Sequence, residues 1–184
     1  MKKMETLVTK YPKIFRDRHK SMTLMCWGFE CGEGWYDILD QLCANIQNHI
    51  DDSRKNRLNA LLFNRALYKA LKGDTKSLFN YFSKFSPNEV YVNRKVAKCL
   101  EDAKKENTHV FHDVFDVCPQ VVATQVKEKF GTLRFYYDGG DSAIDGMVRM
   151  AESMSGVTCE TCGNKGQLRG EGWVYVSCLE HADK

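Results

Sequence analysis

Hydrophobic positions along this chain change period several times, and each change marks an element. Residues 4–10 predict a short helix that stops at Tyr11-Pro12, because the residue ahead of a proline is pushed out of the helical region. Met22, Leu24 and Cys26 then alternate with Thr23, Met25 and Trp27, a period of two that predicts a strand over 22–27. Past the glycines at 28, 32 and 34 the period becomes helical. Trp35, Ile38, Leu39, Leu42, Ile46 and Ile50 fall on one face of an amphipathic helix over 35–50.

From 51 to 107 the composition shifts to Lys, Asn, Leu and Phe, and the local signals are helical. Leu58, Leu61, Leu62, Ala66, Ala70 and Leu71 make one face ahead of a C-cap at Gly73. Asp74 caps a second helix carrying Leu78, Tyr81, Phe82 and Phe85. Ser86-Pro87-Asn88-Glu89 has the form of a capping box with proline at the first helical position, so a third helix is expected from there through Val92, Val96, Leu100 and Ala103.

Period two returns at 120–137. Two alternating runs around Lys129-Phe130-Gly131 predict a β-hairpin with Leu133, Phe135 and Tyr137 on the core side and Thr132, Arg134 and Tyr136 opposite. Asp138-Gly139-Gly140-Asp141 reads as a turn and helix cap leading into a helix with Ile144, Met147, Val148 and Ala151 on one side, ended by Gly156.

The expected architecture is therefore α+β: a small antiparallel sheet from segments near 22–27, 121–127 and 132–137, packed by helices 35–50 and 142–154. The α+β core would comprise 1–50 and 108–155, with a helical insertion at 51–107 and a zinc-binding module at 156–184.

Composition changes this picture little. The 184 residues are 43% hydrophobic and 28% charged with a net charge of +3, an ordinary globular balance that makes no strong case for nucleic acid or anionic membrane. No run approaches the roughly twenty apolar residues of a membrane span, and the basic N-terminus is not followed by a secretory apolar stretch. A cytoplasmic protein is expected. In a reducing compartment its eight cysteines have to be explained by metal, burial or chemistry rather than by disulfides.

Spacing explains four ligands of one site. Cys159-Glu160-Thr161-Cys162-Gly163 has the form of a zinc knuckle, and fifteen residues later Cys178-Leu179-Glu180-His181 offers a second pair. If the second pair begins a helical turn, its members share a face and complete a tetrahedron around Zn2+. Between the pairs, 167–169 and 173–176 flank Gly170-Glu171-Gly172 as a short hairpin, which makes a zinc-ribbon or treble-clef-like finger. Four protein ligands leave no open vertex, so this zinc is expected to be structural.

Other candidates are weaker. Cys26, Cys31 and Cys43 invite a second metal site without a partner pair to finish it, and Cys31, in a glycine-rich turn ahead of a helix, is a candidate nucleophile with no identifiable base. His109 and His112 with Asp113 and Asp116 are a histidine-acid cluster that offers metal or acid-base chemistry, against the plainer reading of a solvated loop. Lys127, Lys129, Arg134 and Tyr136 interleave cations and an aromatic on the hairpin, chemistry that suits stacking on a base and pairing with a phosphate. Trp35, Arg169 and Trp173 would extend that surface if the zinc module packs beside it.

The strings Gly28-Phe29-Glu30-Cys31-Gly32-Glu33-Gly34-Trp35, Val126-Lys127-Glu128-Lys129-Phe130-Gly131-Thr132-Leu133-Arg134-Phe135-Tyr136 and Ala151-Glu152-Ser153-Met154-Ser155, together with the zinc ligands, carry a resemblance. They are similar to a family of small, largely uncharacterised proteins encoded by bacteriophages and prophages. The resemblance covers 11–50 and 118–181 and leaves the helical block as an elaboration. It implies a phage accessory or counter-defence protein acting in the bacterial host cytoplasm.

Three functions follow as expectations. The first is a non-enzymatic, zinc-stabilised binding protein for a host protein or a nucleotide-type ligand, contacting it through Lys127, Lys129, Arg134, Tyr136 and Trp35. The second is a nucleic-acid-binding regulator, against which the small net charge argues. The third is a metal-dependent hydrolase or nuclease using His109, His112 and Asp116.

Overall fold

The computed structural model describes residues 3–105 and 109–182. These form two compact units, 1–51 with 118–184 and 52–117. In order, the elements are α1 (Glu5–Lys10), β1 (Phe29–Glu30), α2 (Tyr36–Leu71), α3 (Thr75–Ser83), α4 (Glu89–Asp102), β2 (Val122–Lys129), β3 (Thr132–Asp138), α5 (Ser142–Ser155), β4 (Gln167–Arg169) and β5 (Tyr175–Ser177). The chain is thus mixed α/β with a small three-stranded sheet. No helix among the described residues is long and apolar enough to cross a membrane.

The first unit is built on the sheet β1-β2-β3. The sheet is mixed, not purely antiparallel: β1 runs parallel to β2, and β2 pairs antiparallel with β3. Phe29, Val126 and Phe135 lie side by side across it, and Glu30, Lys127 and Arg134 form the next row. Because side chains alternate along a strand, the first row faces the core and the second faces away. Leu133 and Phe135 are buried while Tyr136 is exposed, as the alternation requires. The β2–β3 turn places Phe130 and Gly131 both at positive φ, the two-residue geometry whose twist matches a hairpin.

No strand forms at 22–27. Leu24–Trp27 is a 3-10 turn, with Met25 fully buried while Met22 and Trp27 are 94% and 76% exposed. Arg18 explains the departure: its Nη1 donates to the carbonyls of Met25 at 2.8 Å and Cys26 at 3.0 Å, which removes acceptors a ladder would need, and Nη2 pairs with Glu5 at 2.8 Å. Gly28, at φ +97°, then releases the chain into the two-residue strand β1.

The core gathers Trp35, Phe15, Ile14, Leu39, Ile46, Leu133 and Ile144, all essentially without solvent contact. The helix expected to end near 50 instead continues: α2 is 36 residues long, because nothing between Tyr36 and Leu71 is a proline or glycine. Asp141 caps α5, accepting from the amides of Ala143 and Ile144 at 3.1 Å.

The second unit packs α3, α4 and the 52–71 part of α2 around Phe63, Leu67, Leu78 and Val92. Asp74 caps α3 through Ser77. The start of α4 lies two residues later than the capping-box reading places it. Asn88 is the cap, accepting from Tyr91 at 3.0 Å, and Ser86 Oγ accepts from Asn88 instead.

Candidate metal centre

A knuckle, a hairpin and a final turn build one cluster of donors in the first unit. Gly163, at φ +81°, closes the knuckle with its amide donating to Cys159 O at 2.9 Å, and the Cys159 amide donates to Asn164 O at 2.8 Å. The β4–β5 hairpin carries the chain back, and Cys178 ends it beside the knuckle, where the Glu160 amide donates to Val176 O at 3.1 Å. Leu179–His181 is a 3-10 turn. With three residues per turn, positions 178 and 181 lie on one side of it.

The ligand atoms of Cys159, Cys162, Cys178 and His181 all lie within 4.8 Å of one another. Cys178 Sγ is 3.2 Å and Cys159 Sγ 3.7 Å from His181 Nδ1, and Cys162 Sγ is 3.7 Å from Cys178 Sγ. Vertices of a tetrahedron drawn at metal–sulfur and metal–nitrogen bond lengths are about 3.5–3.8 Å apart, so these four atoms surround a position that could hold a metal ion. Burial pushes the Cys159 thiol pKa up, but the amides of Cys178, Cys162 and Thr161 aimed at its sulfur outweigh that and bring it down to about 6. A thiolate held by backbone amides is the form a metal needs.

The glycine-rich turn at 32–35 forms the seat of this cluster. The Gly34 amide donates to Glu160 O at 2.8 Å, the Gly32 amide donates to Glu160 Oε1 at 2.8 Å, and the indole of Trp35 donates to Thr158 O at 2.8 Å. A Cβ on Gly34 would collide with the carbonyl oxygens of Cys159 and Glu160, and one on Gly32 with Glu160 O. These glycines are present because the knuckle backbone lies against them. Trp35 is consequently fully buried and does not belong to the hairpin surface.

The rest of that surface stays outside. Lys127 Nζ sits 5.6 Å from the centre of the Tyr136 ring, Gln125 donates to Glu30 Oε2 at 2.7 Å, and Arg134 Nη1 donates to Thr132 Oγ1 at 2.6 Å and Leu133 O at 2.7 Å. Lys129 lies over Phe130 at the turn, 5.4 Å from the ring centre. Leu168 and Tyr175 pack against Gly131, so the β4–β5 hairpin adjoins the turn, while Trp173 projects into solvent.

Cys31 has the wrong environment for a nucleophile: burial, with the charges of Glu160 and Glu30, pushes its thiol to about 12. Cys43 is buried, and desolvation pushes its thiol well above the ordinary value; neither it, Cys26 nor Cys31 joins a metal-holding group among the described residues. His109, His112, Asp113 and Asp116 do not join such a group either. His112 stacks on Phe63 at 4.1 Å, Asp116 pairs with Arg57 at 3.2 Å, and His109 stands 3.4 Å from Asp113. The physical reason is that an aromatic ring and a guanidinium claim two of the four groups.

One convergence had no signature in the sequence. His49 of α2, Cys118 and the α5 cap Asp141 meet within 4.8 Å, with His49 Nε2 2.8 Å from Asp141 Oδ2. The three come from distant segments with no motif spacing, and Asp141 is already engaged as a helix cap through its other oxygen. No family model matches the chain, and no curated protein or solved structure matches it.

Proposed function

We propose that this chain is a non-enzymatic recognition protein whose C-terminal finger, of zinc-ribbon or treble-clef type, is stapled by one structural zinc ion. The observation that carries the reading is the closed donor shell. Three sulfurs and one imidazole nitrogen lie within 4.8 Å of one another, and four protein donors on one zinc ion would complete a tetrahedron with no vertex left for water or substrate. Three thiol donors favour zinc over harder cations. Bound there, zinc would hold Cys159, Cys162, Cys178 and His181 together and stabilise a segment too small to be held by burial alone.

Recognition is then the business of the exposed surface. The outer row Glu30, Lys127 and Arg134, with Tyr136 beside it, offers cations, a carboxylate and an aromatic ring on a rigid sheet. That chemistry suits a host protein or a nucleotide-type ligand, and the resemblance to phage-encoded proteins supports a bacterial cytoplasmic setting.

The test is elemental analysis of the purified chain followed by chelation. One zinc per chain, whose removal lowers the melting temperature and unfolds the 156–182 segment, is expected. Protein without zinc, or a cobalt-substituted form whose spectrum indicates a water ligand, would overturn the reading.

A further inference from the structure

The second unit carries a cleft of about 560 Å3, bounded by α3, α4 and the 109–112 segment with Phe63 of α2 behind them. That volume falls within the roughly 300–1,000 Å3 span of small-molecule sites. Its walls are aromatic. Tyr81 lies 5.4 Å from Phe63 and 5.3 Å from Phe85, centre to centre. His112 stacks on Phe63 at 4.1 Å with the planes 21° apart, which adds a flat heterocycle to the wall.

Its rim is cationic. Lys95 and Lys98 project from α4, with Lys95 Nζ 5.5 Å from the centre of the Tyr91 ring. Neither has a carboxylate partner among the described residues, whereas the one acid on the rim, Asp102, is taken by Lys105 at 3.0 Å. A second groove of about 270 Å3 shares Tyr81 and carries Arg65, Lys69 and Lys84, so cations continue past the aromatic wall.

The charge of the chain is concentrated in the same unit. Residues 52–117 hold thirteen Lys and Arg against eight Asp and Glu, a net charge of +5, while the rest of the chain holds fourteen against sixteen, a net charge of −2. The overall +3 therefore conceals a basic unit and a mildly acidic one.

From aromatic walls, unpaired rim lysines and local basicity we infer that the cleft of the helical unit binds a nucleotide, its base stacked against Tyr81, Phe85 and His112 and its phosphate held by Lys95 and Lys98. This deepens the nucleotide arm of the recognition reading, on which it rests, but assigns the contact to a surface other than the sheet. The nucleotide is either free or one residue of a single strand. The shared groove at Arg65, Lys69 and Lys84 suits further phosphates in both cases.

Calorimetric titration of the full zinc-loaded chain separates these possibilities. The probes are adenosine monophosphate, adenosine, inorganic phosphate and a short single-stranded oligoadenylate. Submillimolar binding of the monophosphate, tighter than either of its halves, is expected. Lys98→Glu and Phe85→Ala, both at exposed positions, each weaken it about ten-fold. Zinc content and circular dichroism stay unchanged, and Arg134→Glu on the sheet has no effect.

Tighter binding of the oligoadenylate with the same sensitivity to Lys98→Glu supports the site and identifies a strand as the source. Saturable binding of neither probe overturns the inference. So does binding abolished by Arg134→Glu and kept in Lys98→Glu, a result that would leave the recognition reading standing and move the contact to the sheet.

Discussion

The indole N–H of Trp35 donates to the carbonyl oxygen of Thr158 at 2.8 Å, joining the start of α2 to the residue just ahead of Cys159, the first of the four candidate ligands. Trp35 is fully buried, so its N–H has no water to replace the bond, while Thr158 is half-buried. Trp35→Phe keeps most of the apolar contact and strands the carbonyl, a loss of about 1–3 kcal/mol. We expect chemical denaturation to show that decrease and chelator competition to show faster metal release. Unchanged values for both would mean that the finger is positioned without the indole.

Gly34 tests the same seat through backbone sterics. A methyl group there meets the carbonyl oxygens of Cys159 and Glu160, which are fixed by the knuckle, so Gly34→Ala has to displace the backbone that carries the candidate ligands. Gly146 is the internal control. It lies within α5, has open space around it and no positive φ, so Gly146→Ala is expected to stabilise by about 0.5–1 kcal/mol. Melting temperatures moving in opposite directions for the two substitutions would bear this out; a stable Gly34→Ala protein with full metal content would refute the account of the turn.

What could be read from the chain was what lies close in sequence. The four ligands fall in two short pairs, and the alternation of Leu133, Phe135 and Tyr137 needs only one neighbouring strand to make sense. What could not be read depends on distant partners. Met22, Leu24 and Cys26 alternate like a strand, yet Arg18 takes the carbonyls that a ladder would use. Gly32 and Gly34 resemble a catalytic loop until Glu160 is seen lying on them, and Trp35 resembles a stacking residue until Thr158 is found at its nitrogen. Tyr81 and Phe85 fall at helical spacing in the sequence, yet α3 ends at Ser83 and both side chains line the cleft. The apolar periodicity lapses in a polar stretch after Ile50, but α2 continues through it because it contains no residue able to stop a helix.

The free edge of the sheet is closed by side chains of α5. The Leu133 amide donates to Ser155 Oγ at 2.8 Å and the Phe135 amide to Glu152 Oε1 at 3.1 Å, so two outward donors of β3 are satisfied without another strand. Ser155 is fully buried and its hydroxyl donates onward to Glu152 O at 2.6 Å. Ser155→Ala leaves the Leu133 amide without an acceptor, and a loss of about 1–3 kcal/mol is expected by urea denaturation. Hydrogen exchange should localise the change to the Leu133 amide; protection there equal to that of the unmodified protein would show that another acceptor replaces the hydroxyl.

Asp141 gives the fold a defined acid response. The hydrogen bond from His49 is the main cause holding its carboxyl below the ordinary value, the amide of Ile144 and the thiol of Cys118 add to it, and partial burial opposes. A carboxyl whose folded pKa lies below its unfolded value contributes stability above the unfolded value, near 4, and loses that contribution as pH falls through the folded one. Asp141→Asn retains an oxygen to cap α5, so it removes the charge-dependent part alone. The stability gap between the unmodified protein and Asp141→Asn should therefore be widest near pH 6 and close as pH is lowered toward 2.5, whereas Asp141→Ala adds about 1 kcal/mol for the lost cap at every pH. Urea denaturation across that range measures both gaps. A gap for Asp141→Asn that stays constant with pH would mean that His49 and Asp141 are neighbours without energetic coupling.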